Sequence, residues 1–209
     1  KQEYAIPRAQ VNDPSVRWDV INGVGAMTIS RFDEQTGTLA RRAAQEFIDK
    51  QVKGVVLDLR DNGGGYLTAA QALASVWLND QVVVTEKTGG KVVDTVKTER
   101  HALLGDMKTV VLTNGNTASA SEIVAGALQE YGKATLIGEK TYGKGTVQKI
   151  VNLSDGRILK VTTARWYTSK GKNITKEGIT PDKTIHITKD DANAGRDTQM
   201  EAAQAVLAP

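Results

Sequence analysis

The 209-residue chain has no cysteine, which excludes disulfides, thiol nucleophiles and cysteine-ligated metal sites. Histidine is nearly as scarce. His101, in a polar stretch, and His186, in the alternating run 184–188, are the only two, so a metal cluster or a Ser-His-Asp triad has little to be built from. No apolar run is long enough to span a membrane, and no secretory leader pattern, internal repeat or low-complexity tract is present. The formal charge of +3 is dispersed, and no basic run interleaves with aromatics as a nucleic-acid track would. Arg41 and Arg42 read as the solvated face of a helix. The chain opens on Lys1 rather than methionine, which reads as a processed or trimmed start.

What is present suits one α/β unit, since 209 residues at 40% hydrophobic content can bury a substantial core. Helical patterning is expected over 38–50, 67–78, 123–128 and 199–207, and β-branched apolar runs predict strands over 54–58, 108–113 and 146–151. Thr88-Gly89-Gly90-Lys91 predicts a hairpin between 82–84 and 92–93. Stretches 98–106 and 190–197 read as a polar excursion and a polar linker.

Two short runs carry the chemistry. Thr117-Ala118-Ser119-Ala120-Ser121-Glu122 follows a predicted strand and the Asn114-Gly115-Asn116 turn signal, and precedes a predicted helix. Strand, tight turn, serine and helix in that order expose a hydroxyl and aim the free N–H groups of the helix start at the same spot, as an oxyanion hole requires. The same residues fit the S-x-x-E capping box, in which Ser119 merely closes the helix, and Ser121 shares the ambiguity.

The second run, Gly143-Lys144-Gly145-Thr146-Val147-Gln148, begins like a phosphate-binding loop. That motif needs Ser or Thr directly after the lysine and then a helix, whereas Gly145 and a strand pattern follow here. A lysine serves as a general base only where desolvation or nearby positive potential favours the neutral amine, and flanking glycines let backbone approach closely enough to provide it. Gln148, four residues on, could hold the amine in place.

A third run, 54–65, ends in Gly63-Gly64-Gly65, three glycines after a strand. Such a turn can present a concave set of backbone N–H groups to an anion. Asp58 beside Arg60 reads as a structural ion pair.

Taken together these runs, with Arg157 to Gly171 and Gly178-Ile179-Thr180-Pro181-Asp182, resemble the C-terminal processing (tail-specific) serine peptidases, motif by motif from about Val24 to Asp182. The resemblance implies an α/β core of ββα units of the crotonase and Clp-protease type, with an additional β-rich portion and a C-terminal helix. It places the nucleophile on Ser119, the base on Lys144, the orienting amide on Gln148 and the oxyanion donors on the N–H groups of Gly65 and Ala120, with Ser121 as scaffold. Position 63, glycine here, is often proline in that family.

The resemblance further implies no cofactor and no metal. Substrates would be proteins or peptides with unstructured C-termini, and the compartment extracytoplasmic, whether periplasm, cell envelope or chloroplast lumen. Family members usually carry a PDZ domain ahead of the core. Residues 1–23 therefore read as strands following the place of such a domain, 24–189 as the peptidase core and 190–209 as a linker and helix, with a regulatory partner or PDZ domain acting in trans. Oligomeric state is not legible. A non-catalytic or partner-activated peptide-binding protein on the same fold is the alternative.

Overall fold

The computed structural model describes residues 13–154 and 156–208, with backbone only at Lys149. Its frame is a six-stranded sheet in the order β1-β2-β3-β6-β7-β10. The strands are β1 (Val16–Ile21), β2 (Val24–Ile29), β3 (Gly54–Asp58), β6 (Thr109–Thr113), β7 (Thr135–Gly138) and β10 (Lys183–Thr184). All run parallel except β1, which pairs antiparallel with β2 at one edge. Of the predicted N-terminal unit, residues 1–12 lie outside the described residues.

Strands β3 and β6 are buried along their whole length, which is why they read as unbroken β-branched runs. Their side chains alternate between two cores. Val55, Leu57 and Val111 pack with helices α1 (Thr36–Asp49), α2 (Leu67–Ala74) and α3 (Ala120–Glu130). Val56, Val110 and Leu112 pack on the other face with Ala203 and Leu207 of α5 (Thr198–Leu207).

A second, antiparallel sheet has the order β5-β4-β9-β8, formed by β4 (Val82–Thr88), β5 (Lys91–Lys97), β8 (Thr146–Asn152) and β9 (Ile158–Tyr167). The predicted hairpin at Gly89 and Gly90 joins β4 to β5, both glycines at positive φ as a two-residue turn demands. Val83, Val84 and Trp166 anchor this sheet to the main core.

Several boundaries differ from expectation. Helix α2 ends at Ala74, and the following turn buries Trp77 and Leu78, whose apolar character had extended the helical pattern. The predicted linker 190–197 contains a short helix, α4 (Lys189–Asn193), with Thr188 Oγ1 accepting the Asp191 N–H. His186 lies beyond the end of β10, with Nδ1 2.9 Å from Glu139 Oε1. Arg41 is not simply solvated, since it donates to the His101 carbonyl, while Arg42 sits over the Trp18 ring.

Helix α5 is held by a charge cluster. The Arg60 guanidinium grips Asp58 at 2.7 Å and Asp197 at 2.8 Å, and also donates to Gln199. Asp197 caps α5 by accepting the Met200 N–H at 2.9 Å. Burial alone would push the Asp197 carboxyl up. Hydrogen bonds from Arg60 and the helix N–H groups, with the Arg60 charge, outweigh it and hold the group below the ordinary carboxylate range. Its stabilisation is therefore present above the ordinary aspartate value and is lost as pH falls through the lowered one. Asp197→Asn should lower the urea midpoint at pH 7 and make its decline between pH 5 and pH 2 shallower than in the wild type.

Candidate active site

The C-terminal ends of β3 and β6 lie side by side, with Asp58 opposite Leu112, so the loops that follow them emerge together. In parallel sheets such adjacent loop starts form the ligand crevice. The β6 loop leads into α3 through Ser119, whose backbone is held at φ 59°, ψ −118°. A non-glycine residue there is strained, and such strain persists only where the surroundings enforce it. Ser119 borders a cleft and also belongs to the capping box that its spacing to Glu122 suggested. Ser121 is buried and donates to the Asn62 carbonyl at 2.9 Å, so the two serines separate into a cleft residue and a scaffold residue.

Glu122 is the enforcing group. Its fully buried carboxylate accepts the N–H of Ser119 at 2.8 Å and that of Lys144 at 2.9 Å on one oxygen. The other oxygen accepts the Gly143 N–H at 2.8 Å and the Thr141 hydroxyl. Four donors satisfy a carboxylate that has no cation beside it among the described residues. One side chain thus ties the turn carrying Ser119 to the loop carrying Lys144. Sequence reasoning missed this role and saw only a cap partner.

The glycines around Lys144 are explained by close approach. A Cβ at Gly143 would stand 2.8 Å from the Gly178 nitrogen, and one at Gly145 2.6 Å from Thr175 Oγ1. The Lys144 carbonyl accepts the Trp166 indole N–H at 2.9 Å, fixing the backbone on its other side. The lysine side chain is partly buried and borders the same cleft as Ser119. Among the described residues no hydrogen bond joins Ser119 Oγ to Lys144 Nζ. Gln148 also borders the cleft and is exposed, just past a bulge in β8.

The glycine turn after β3 packs directly on the serine turn. A Cβ at Gly64 would sit 2.7 Å from Ser119 Cβ and 2.9 Å from the Ala120 nitrogen, and one at Gly65 2.1 Å from the Phe32 carbonyl oxygen. Buried Asn62 clamps this turn: its amide donates to the Ile29 carbonyl and accepts the Gly64 N–H, while its own carbonyl accepts the Ala118 N–H. Gly65 and Ala120 border the cleft, and neither N–H has a protein acceptor among the described residues. All five residues singled out from the sequence, Ser119, Lys144, Gln148, Gly65 and Ala120, therefore meet at one cleft of about 560 Å³. Its apolar wall includes Leu67, Val84, Ile123 and Trp166, none of which was singled out from the sequence as a site residue. No cluster of three metal-ligating side chains occurs among the described residues.

Residues 23–185 match Peptidase family S41. The chain is 35% identical over 191 residues to a protein of Staphylococcus epidermidis described as a CtpA-like serine protease, covering 90% of this chain and 39% of that one. A Staphylococcus aureus protein of the same description is 36% identical, with coverages of 90% and 38%. The chain spans about two fifths of the length of these curated relatives. Among solved structures it resembles a photosystem II D1 C-terminal processing protease with TM-score 0.77 and 32% identity, covering 86% of this chain and 50% of that one. An S41 protease from Bacteroides fragilis shares the fold at TM-score 0.76 and 24% identity, covering 96% of this chain and 58% of that one.

The glycine turn yields a paired test. Gly63 has nothing within 4 Å of a built Cβ and no positive φ, so Gly63→Ala should leave unfolding free energy within about 1 kcal/mol of wild type. Gly64→Ala, at φ 100° and against Ser119, should cost more than about 2 kcal/mol in the same urea titration. Glu122→Gln replaces an acceptor oxygen by a donor facing other donors, and should cost about 2 kcal/mol or more.

Proposed function

The chain belongs to Peptidase family S41, and on that premise we propose that it is a serine endopeptidase acting through Ser119 and Lys144. The observation that carries this reading is the convergence on one cleft of a strained serine, a lysine from a second loop, and two backbone N–H groups without an acceptor among the described residues.

In this reading uncharged Lys144 takes the Ser119 proton as Oγ attacks a peptide carbonyl. The developing oxyanion is held by the Gly65 and Ala120 N–H groups, which are already fixed by the Asn62 and Glu122 clamps. The protonated amine then gives its proton to the leaving nitrogen, and water releases the acyl group by the reverse route. Gln148 steadies the amine. Substrate would lie extended beside β8, an edge strand whose outer side can add another strand. The D1 enzyme is named for C-terminal processing, which favours protein tails as the substrate here.

A partner-activated form is the second reading, favoured by the missing hydrogen bond between Ser119 and Lys144 in this resting state. A domain or protein acting in trans would then complete the alignment, though apo sites often tighten only on binding substrate.

Ser119→Ala and Lys144→Ala should each lower kcat/KM on a tail-bearing protein by about a thousandfold or more, with melting curves unchanged. Full activity in either variant rejects the pair, and loss in Ser121→Ala but not Ser119→Ala reassigns the nucleophile. Labelling of Ser119 by a fluorophosphonate only when a partner is added would select the second reading.

A further inference from the structure

The apolar wall of the cleft is interrupted by one carboxylate. Glu86 stands on β4 two residues after Val84, on the same face, and both border the cleft. Directly across the strand pair it opposes Trp166, which is buried in that wall; on its other side it opposes Asp94 of β5. Two acidic residues facing one another across paired strands repel, and a half-buried carboxylate against an indole loses hydration. The charge should have been matched by a cation. Yet among the described residues none lies within ion-pair distance of Glu86, although Lys144 and Lys160 border the same cleft. Burial, and after it the charge of Asp94, raises the Glu86 carboxyl above its ordinary value, the direction expected of an uncompensated anion.

Resting on the peptidase reading above, we propose that Glu86 is a specificity-determining residue that accepts a lysine or arginine side chain of the substrate at the pocket beside Ser119. The pocket walls would cover the aliphatic stem of such a side chain, and Glu86 would meet its cationic head. Ile123 lies one helical turn from Ser119, and both border the one cleft that Val84, Glu86 and Trp166 also line, so the carboxylate and the serine share a single pocket. A carboxylate without a partner in the free enzyme is poised for a ligand cation, and an acidic substrate residue would be rejected there by repulsion from Glu86.

The test is a set of internally quenched peptides carrying Lys, Arg, Ala, Leu or Glu in turn at the two positions flanking the cleaved bond, run on the wild type, Glu86→Gln and Glu86→Lys. The wild type should show kcat/KM at least tenfold higher for Lys or Arg than for Ala at one of those positions. Glu86→Gln should collapse that ratio toward one, and Glu86→Lys should invert it in favour of Glu peptides. A Lys-to-Ala ratio unchanged in both variants overturns the proposal. Failure of the catalytic reading is distinguishable, because it would show as cleavage of no peptide, or as cleavage that survives Ser119→Ala. The subsite is then read by fluorescence polarisation of the same peptides on Ser119→Ala and on Ser119→Ala with Glu86→Gln. Preference for cationic peptides that disappears with Glu86 sustains the proposal, and equal binding of all peptides by both proteins rejects it.

Discussion

The site depends on one buried group, the Glu122 carboxylate, that has no ion-pair partner among the described residues and is satisfied by hydrogen bonds. Its partners belong to two segments, the Ser119 turn and the 141–144 loop, which are joined besides only by backbone contacts such as the Tyr142 N–H donating to the Thr117 carbonyl. A carboxylate surrounded by four donors in a dry site fixes direction as well as distance, because each oxygen has few favourable approaches. The same bonds hold Ser119 in its disfavoured backbone conformation. The strain at the serine and the placement of the lysine are thus two results of a single desolvated group.

Around that group the parallel sheet does the coarse positioning. Neighbouring β3 and β6 deliver the glycine turn and the serine turn to the same end of the sheet, and the fit between them is too close for any side chain at Gly64. The antiparallel sheet then closes the cleft from the opposite side through Val84, Trp166 and β8. Each wall therefore has a different origin. A sheet crevice supplies the reacting groups, and an appended hairpin layer supplies the surface a substrate would touch.

Much of this was legible in the chain because its signals are local. Backbone conformation and helix starts are encoded within a few residues, so the turns at 62–65 and 114–119 and the glycines flanking Lys144 announced themselves. Glu122 was visible only as a cap, since its partners lie 19 to 22 residues downstream and nothing in that spacing marks them. The Arg60 to Asp197 contact spans 137 positions, and the role of Asp197 was invisible for the same reason. Part of the apolar wall was unreadable too, because Val84 looks like any other strand residue until sheet pairing brings it to the cleft.

Helix α5 follows every strand of the large sheet in chain order, yet among the described residues it supplies most of what packs on Val56, Val110 and Leu112. A ribosome therefore releases the whole sheet before the lid for its second face exists. Through that interval the nascent domain exposes the apolar face of Val56, Val110 and Leu112, a surface of the kind that chaperones grip and that sticks to its neighbours.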